Sequence, residues 1–440
     1  MKRGILLLLA VTLCVSAALA WTVQGEEFTF QITNPKQYPG TEREVTVYVP
    51  SQYDGQSPVA LYVGLDGNLF NAISVIDSLI TSRELPVMIG VFVKPGRVKD
   101  AAGEVIRYNR SNEFDRVNGN LASFLETEVL PKVEAMQTPS GKSIKITDNP
   151  DMRAITGASS SGIAAFTAAW FRPDLFRRVY TACGTFVDMR GGDRYTAIVR
   201  KTESKPIKIY LQDGEKDAWN PLFCHWYEEN VRLESALRFA GYDVGHEWGD
   251  GGHSIAHGTR IFPKVIKWLW QGDTVCAGKS QNNCLETILV PGEGWQPADA
   301  VAMKERSEVA AVSPDGLHEV VAQQGKNILT DYILAAGKRT MGQDFYWLDG
   351  ENVEVYDLKF DTAGNLYCAT SAGIQVCDRN GRVRAILPSP CSGRYAIAFV
   401  GEGCNYLQVQ SRDTAYHRKM AIPGWNSTLP TIKVKDQGEG

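Results

Sequence analysis

The sequence predicts an α/β fold with a doubly wound sheet, followed by a second domain that is all β. Three observations lead to this prediction. Between Glu27 and Trp270, short apolar strand-like segments alternate with helix-like segments, which is typical of βα units around a parallel sheet. After Trp270, helical periodicity gives way to short strands separated by Gly- and Asn-containing turns. Inside the first region, one apolar strand runs through Gly157 and Ser159 directly into a helix of small residues.

The chain begins with features of a secretory signal. Lys2 and Arg3 precede an apolar run over residues 5–13, and Ala18-Leu19-Ala20 fits a cleavage site. We therefore expect residues 1–20 to be a signal peptide and the mature protein to be secreted or periplasmic. The expected domains are residues 21–270, a Gly- and Ser-rich linker over 271–284, and the all-β domain over 285–440.

Composition limits the partners and the metal chemistry. The 440 residues carry a formal net charge of −4, which gives no electrostatic reason to expect nucleic acid or an anionic membrane as partner. Eight cysteines follow the predicted signal, and the easiest disulfide to form in an oxidising compartment joins Cys276 to Cys284. The cysteine spacings fit no zinc template, so we expect no metal and no cofactor.

The first domain contains a series of predicted strands and helices. Residues 28–32 and 45–49 read as an antiparallel pair, and 59–63, 87–93, 154–156, 179–183 and 207–211 read as buried parallel strands. The apolar spacing predicts helices over about 121–133, 222–239 and 260–270. In such folds ligands lie at the carboxyl ends of the strands, which is where Ser159 falls.

The turn at Ser159 is typical of a nucleophile elbow. The backbone turns so sharply there that only small residues fit two positions before and two positions after the nucleophile. Gly157 and Ser161 meet this condition around Ser159. The competing register centres on Ser160, with Ala158 before it and Gly162 after it. We favour Ser159.

A serine nucleophile needs a base and a carboxylate later in the chain. His253 lies in a Gly-rich loop after the last strand-like segment, where an α/β arrangement puts the base, and His257 is the alternative. The acid should follow the strand at 207–211, where we favour Asp217 because it lies beyond the turn at Gly214. Asp213 is expected to cap that turn.

Other residues are expected to complete the site. The N–H of Ser160 and an N–H of Gly67 or Asn68, in the loop after an early central strand, are the expected donors to an oxyanion. Trp219, Trp226 and Trp248 lie near the acid and histidine loops, and we expect their rings to bind a phenolic acyl group or a sugar.

Four motifs together resemble one known family. The motifs are residues 157–163, 110–115, 211–214 and 251–253. On these motifs, residues 26–270 resemble the enterochelin-esterase-like, esterase D branch of the α/β-hydrolases, which includes feruloyl and acetyl-xylan esterases. The resemblance implies Ser159 as nucleophile, Asp217 as acid and His253 as base. The sequence departs from the family pattern at Ser161, which is normally glycine. Arg110 and Glu113 are expected either to hold the loop beside the site or to form an exposed ion pair.

A second resemblance concerns the all-β region. Residues 360–369 and 373–376 are similar to gluconolactonase/regucalcin-like β-propellers, and the match covers about half of such a domain, which implies an incomplete propeller. Asp357 falls near the position of one metal ligand in those proteins. Because the other ligands cannot be matched, no metal is carried over.

These observations predict a secreted serine carboxylic ester hydrolase that uses a Ser-His-Asp triad and acts on a small-molecule or polysaccharide ester. The preferred substrate is an acyl-substituted polysaccharide with feruloyl or acetyl esters. The alternatives are a hydrolase of siderophores or other small esters, and a carbohydrate-binding protein without catalysis. The sequence alone does not determine the oligomeric state.

Overall fold

The structure of the chain is a computed structural model that describes residues 23–302, 308–323, 325–350, 353–412, 414–426 and 430–431. The predicted signal peptide, residues 1–20, lies outside the described residues. Within the described ranges, every helix is too short or too polar to cross a membrane.

The first region is built on one large sheet. Its strands, in chain order, are β1 (Glu26–Thr33), β2 (Glu42–Val49), β3 (Ala60–Leu65), β4 (Met88–Val93), β5 (Arg97–Lys99), β6 (Val105–Tyr108), β7 (Arg153–Ala158), β8 (Arg178–Ala182), β9 (Lys208–Gly214), the short hairpin β10 (Trp219–Asn220) and β11 (Cys224–His225), and β12 (Asp243–Gly249). All but the hairpin form a ten-stranded sheet in the order β12-β9-β8-β7-β3-β4-β2-β5-β6, with β1 paired to β2.

The six strands from β12 to β4 are parallel, and the pairs that involve β1, β2, β5 and β6 are antiparallel. Strands β3, β4, β7, β8 and β9 are buried along their whole length, because helices cover both faces of the sheet. The predicted antiparallel pair and the predicted parallel strands are therefore present in the described structure.

The helices are α1 (Ala72–Thr81), α2 (Arg110–Phe114), α3 (Asn120–Phe124), α4 (Leu130–Glu134), α5 (Ser160–Phe171), α6 (Tyr195–Lys201), α7 (Trp226–Phe239), α8 (Ile255–Leu269) and α9 (Asn283–Ile288). A π-helical turn, Leu125–Val129, joins α3 to α4, so the predicted helix over 121–133 exists in three parts. Helix α7 begins four residues later than predicted because the preceding residues form the β10–β11 hairpin. Helix α8 begins five residues earlier than predicted, where the Ser254 side chain accepts a hydrogen bond from the Ala256 amide.

The second region is all β. Its strands are β13 (Gln296–Pro297), β14 (Ala310–Val312), β15 (His318–Ala322), β16 (Ile328–Ala335), β17 (Lys338–Trp347), β18 (Val355–Phe360), β19 (Leu366–Thr370), β20 (Gly373–Cys377), β21 (Val383–Leu387), β22 (Ala396–Val400), β23 (Tyr406–Gln410) and β24 (Ala415–Lys419). They form three four-stranded antiparallel sheets: β14 to β17, β18 to β21, and β13 with β24, β23 and β22.

Four-stranded antiparallel sheets are the repeating unit of a propeller. Three such sheets in the described residues do not establish a closed ring, so the all-β character of this region is confirmed and the propeller is not. The Asp357 carboxylate accepts hydrogen bonds from the Lys359 ammonium and the Ile397 amide. Asp357 thus bonds a residue of its own strand and the backbone of β22, which belongs to the neighbouring sheet.

The all-β region packs on the end of α6 and the residues that follow it. Thr202 forms a parallel bridge with Ile386, and Arg418 pairs with Glu203 at 2.7 Å. Residues 202–207 lead from α6 into the first residue of β9, so they lie at the amino ends of the parallel strands. The second region therefore packs away from the sheet edge that carries Ser159.

The predicted disulfide is wrong. Cys276 and Cys284 are both free, as are the other described cysteines. Cys276 is exposed, whereas Cys284 lies in the first turn of α9 and donates to the neighbouring Asn283 side chain. The short separation of the two cysteines in sequence therefore does not place their sulfur atoms at bonding distance.

Candidate active site

Ser159 lies at the sharp turn between β7 and α5. Its φ of 57° and ψ of −124° are unusual for a residue with a Cβ, which is the strain expected at a nucleophile elbow. A Cβ on Gly157 would lie 2.2 Å from the Ser161 carbonyl oxygen, so the glycine is required for this turn. Ser160 is the first residue of α5 and is buried. The preferred register therefore has the elbow geometry, and the Ser160 register does not.

Ser161, where the family pattern has glycine, has a definite place in this turn. Its hydroxyl donates to the Ala158 carbonyl at 2.7 Å and accepts from the Ala158 amide at 2.8 Å. The side chain thus binds both polar groups of the last residue of β7. The departure from the pattern strengthens the local hydrogen bonding of the elbow.

Three predicted residues meet at the carboxyl edge of the sheet. The His253 Nε2 atom lies 2.9 Å from the Ser159 hydroxyl, and its Nδ1 atom lies 2.7 Å from Asp217 Oδ1. The Asp217 side chain is fully buried, and the His253 ring is one-third exposed. With Nδ1–H donating to the carboxylate, the Nε2 atom of the neutral ring can accept the serine proton.

The alternatives from the sequence lie elsewhere. His257 is in α8, where its Nε2 atom bonds Glu247 at 3.0 Å. Asp213 is the penultimate residue of β9 and is fully buried behind Asp217. Its Oδ1 atom accepts from the Gly214 amide at 2.7 Å, and its Oδ2 atom accepts from Asn230 Nδ2 at 2.9 Å.

The two aspartates have opposite protonation tendencies. Burial, together with the hydrogen bond and negative charge of Asp217, raises the pKa of Asp213 to about 9. Burial also opposes ionisation of Asp217, but hydrogen bonds from His253, Asp213 and the Ala218 amide outweigh it and lower the pKa of Asp217. At neutral pH the pair thus keeps one proton, held on Asp213, and Asp217 faces the histidine as a carboxylate.

The loop after β3 is tied to the elbow. Arg110 forms a two-pronged pair with Asp66, with bonds of 2.9 and 2.6 Å, and one of its N–H groups reaches the Ala158 carbonyl at 3.3 Å. Because β3 and β7 are neighbouring parallel strands, this pair links the loop that carries Gly67 to the serine turn. Arg110 therefore holds the loop beside the site, whereas Glu113 is buried and pairs with Arg43.

The predicted oxyanion donors lie in the loop after β3 and at the start of α5. Gly67 has a φ of 89°, a conformation that favours glycine, and the Asn68 side chain accepts a hydrogen bond from the Ile73 amide at 3.1 Å. The Asn68 side chain is thereby engaged at the start of α1. The backbone amides of the loop therefore remain as the candidate donors to an oxyanion. The Ser160 amide, in the first turn of α5, is among the amides of a helix start that have no partner within the helix.

The three predicted tryptophans have different surroundings. Trp226 is buried at the start of α7, with its ring edge-on to His253 at 5.9 Å. Trp219 lies on the β10–β11 hairpin and is 66% exposed. Trp248 stacks on His246 at 4.9 Å and contacts Tyr227. These contacts pack the Trp248 ring on the outermost strand β12, and its role in substrate binding stays a prediction.

Among the residues that the structure describes, one set has donor atoms close enough for a metal. The Cys183 sulfur, an Asp217 oxygen and a His253 nitrogen lie within 4.8 Å of one another. Burial raises the pKa of the Cys183 thiol to about 12, whereas metals bind the thiolate. A metal there would also have to break the hydrogen bond between His253 and Asp217. The geometry therefore favours that hydrogen bond over metal ligation.

Sequence reasoning missed two neighbours of these groups. Thr185 Oγ1 lies 3.3 Å from the Ser159 hydroxyl, and Asn230 bonds the buried Asp213. Thr185 follows the end of β8, and the carboxyl ends of strands beside the nucleophile strand are where such residues are expected. Asn230 lies in the middle of α7 and gives no comparable signal.

The fold, with its mostly parallel sheet and a positive-φ serine at the turn from strand to helix, defines the class of protein as an α/β-hydrolase. The sequence comparison gives the family. Residues 36–257, just over half of the chain, match the esterase family described as "Putative esterase", and the chain belongs to this family.

Solved structures that are similar to part of this chain include three esterases. The ferric enterobactin esterase from Salmonella typhimurium is 18% identical, with a TM-score of 0.44, over 57% of this chain and 59% of that chain. A ferulic acid esterase is 16% identical, with a TM-score of 0.44, over 57% of this chain and 99% of that one. The feruloyl esterase module from Clostridium thermocellum is 13% identical, with a TM-score of 0.41, over 56% and 88%.

The match to the enterobactin esterase thus spans about three-fifths of that protein. Among the curated proteins compared, none matches this sequence significantly.

Proposed function

We propose that the protein is a secreted serine esterase in which Ser159 is the nucleophile, His253 the general base and Asp217 the carboxylate that orients it. The observation that carries this proposal is the pair of hydrogen bonds, 2.9 Å from Ser159 to His253 and 2.7 Å from His253 to Asp217. The strained backbone of Ser159 supports it, because strain that folding must offset is commonly retained at functional sites.

The proposed reaction has two halves. Ser159 Oγ attacks the ester carbonyl carbon while its proton passes to His253 Nε2, and the Asp217 carboxylate stabilises the imidazolium that forms. Backbone amides of Ser160 and of Gly67 or Asn68 are the proposed donors to the oxyanion. The intermediate then collapses, the C–O bond to the alcohol breaks, and the alcohol leaves with the proton from His253.

The second half releases the acid. Water gives a proton to His253 and adds to the carbonyl of the acyl-serine. The bond between the acyl carbon and Ser159 Oγ then breaks, and the proton on His253 returns to the serine. The products are a carboxylic acid and the unchanged enzyme. Each proton transfer in this scheme uses the single Nε2 atom that faces Ser159.

For the substrate, we propose acyl-substituted polysaccharide with feruloyl or acetyl esters, outside the cytoplasm. The exposed ring of Trp219 on the hairpin after β9 supports an aromatic or sugar group at the mouth of the site, because aromatic rings stack on both. The signal-like residues 1–20 support export. The all-β region is proposed to be an accessory domain.

The catalytic proposal is tested with the full chain and p-nitrophenyl acetate. Replacing Ser159 by alanine should lower kcat by about 10⁴-fold or more, because the nucleophile is lost. The matched control is Ser235→Ala, which removes an exposed hydroxyl on α7 and should leave kcat within twofold. A Ser159→Ala protein that folds normally and keeps more than a tenth of the wild-type kcat would contradict the assignment.

The substrate proposal needs a separate comparison. We expect kcat/KM to be highest for feruloylated or acetylated xylan fragments, measured by release of the free acid. A higher value for a catecholate siderophore ester would overturn the polysaccharide assignment while leaving the catalytic one intact. Binding to xylan without release of any acid would favour the carbohydrate-binding alternative. Export predicts a mature N-terminus near Trp21 in protein collected outside the cytoplasm.

A further inference from the structure

The hydroxyl of Ser159 has a second side-chain neighbour besides His253. Thr185 Oγ1 lies 3.3 Å from Ser159 Oγ, and the indole Nε1 of Trp226 lies 3.3 Å from the same Thr185 oxygen. Thr185 is 2% exposed and Trp226 is 7% exposed, so solvent has little access to this chain of contacts. The three side chains come from the turn after β7, the loop after β8 and the start of α7.

The chemistry of the groups determines the direction of these hydrogen bonds. An indole N–H can only donate, so Thr185 Oγ1 must accept from Trp226. The serine has one proton, and in the reactive arrangement this proton points to His253 Nε2. Thr185 is then left with its own proton to donate, and Ser159 Oγ with a lone pair to accept it.

We propose that Thr185 donates a hydrogen bond to Ser159 Oγ and stabilises the negative charge that develops on this oxygen during catalysis. The inference rests on the proposed function, because it assumes that Ser159 is the nucleophile. The Trp226 indole sets the direction of the Thr185 hydroxyl. The backbone amide of Thr185 separately donates to the Ser159 carbonyl at 3.1 Å, so the position of the loop does not depend on the hydroxyl.

The effect should be larger in the second half of the reaction. During acylation the donated bond makes Oγ easier to deprotonate but also less nucleophilic, and the two consequences partly cancel. During deacylation the C–Oγ bond breaks and Oγ departs with the bonding electron pair before it takes the proton from His253. A donor at Oγ helps that departure without an opposing effect.

The test compares Thr185→Val with Thr185→Ser in the full chain. Valine keeps the shape of the side chain and removes the donor, whereas serine keeps the donor. With p-nitrophenyl acetate, whose good leaving group makes deacylation limit kcat, Thr185→Val should lower kcat about tenfold, the loss of one hydrogen bond to a developing charge. We expect kcat/KM, which reports acylation, to change less than threefold, and Thr185→Ser to keep kcat within threefold of wild type.

A matched control separates this role from packing. Thr167→Val changes another buried threonine, which accepts a 2.8 Å hydrogen bond from the Tyr195 hydroxyl, and should leave both constants within twofold. The proposal is overturned if Thr185→Val leaves kcat unchanged, if it lowers kcat and kcat/KM by the same factor, or if Thr185→Ser is as slow as Thr185→Val. If Thr185→Val does not fold, Thr185→Ala and Thr185→Ser give the same comparison.

The role of Trp226 is tested by a double-mutant cycle. Phenylalanine at this position keeps a ring beside His253 but has no N–H. If Trp226 acts on deacylation through Thr185, the variant with both Trp226→Phe and Thr185→Val should have the kcat of Thr185→Val alone. Multiplicative effects would refute the link. A wild-type rate in Ser159→Ala would instead refute the proposed function, so the two failures are distinct.

Discussion

Replacing Asp213 by asparagine should change how stability depends on pH. Asp213 is fully buried, and its two oxygens accept from the Gly214 amide and the Asn230 side chain. The Oδ2 atom of Asp217 is buried with no other donor among the described residues, so the proton on Asp213 is the donor available to it. Asparagine has nearly the same shape and carries a donor at every pH.

The magnitude follows from proton linkage. The pKa of Asp213 is raised to about 9 in the fold by burial and by Asp217, against about 3.9 for an unfolded aspartate. Between these values the native state holds one proton that the unfolded state has lost, so stability falls by about 1.4 kcal/mol per pH unit as pH rises. The Asp213→Asn variant would have no such slope. From pH 5 to pH 8 the variant should gain about 4 kcal/mol relative to wild type.

Urea unfolding followed by tryptophan fluorescence at pH 5, 6, 7 and 8 measures this difference. Asp243→Asn is the control, because this carboxylate is half exposed and pairs with Lys208 on the neighbouring strand. Activity gives a second readout. Above about pH 9 wild type should lose activity as Asp213 ionises beside Asp217, whereas Asp213→Asn should keep it. Parallel stability curves for wild type and Asp213→Asn would refute the shared-proton arrangement.

Two further predictions concern the elbow and the hairpin. Gly157→Ala should lower kcat about 100-fold, because the new Cβ would lie 2.2 Å from the Ser161 carbonyl and must displace the serine turn. Gly294→Ala, whose Cβ would meet no atom within 4 Å, is the control for p-nitrophenyl acetate turnover, and equal kcat values would contradict the steric argument. Trp219→Ala should raise KM for a feruloyl ester about fivefold through lost stacking and leave the acetate ester within twofold. Trp347→Ala, a similarly exposed tryptophan in the all-β region, should change neither KM, and an unchanged feruloyl KM in Trp219→Ala would exclude this ring from substrate binding.

Much of the α/β region could be predicted from the sequence, because the features that specify its strands and its sharp turn act over only a few residues. Buried parallel strands read as apolar runs, since both faces of the sheet are covered. The turn at Ser159 could be recognised because its geometry excludes large side chains within two residues on either side. The same local reasoning failed for Cys276 and Cys284, whose separation in sequence says nothing about how α9 orients one of the sulfur atoms.

The sequence by itself determined where the strands lie, where the chain turns sharply, and which side chains carry the needed chemistry. Only the tertiary structure decided which of them meet. Ser159 and His253 are 94 residues apart, and their contact depends on β7, β8, β9 and β12 lying side by side. The position of Thr185 beside Ser159 follows from the same strand order, because β8 is the neighbour of β7. Periodicity and turn chemistry act over a few residues, whereas the approach of distant strand ends is a property of the packed sheet.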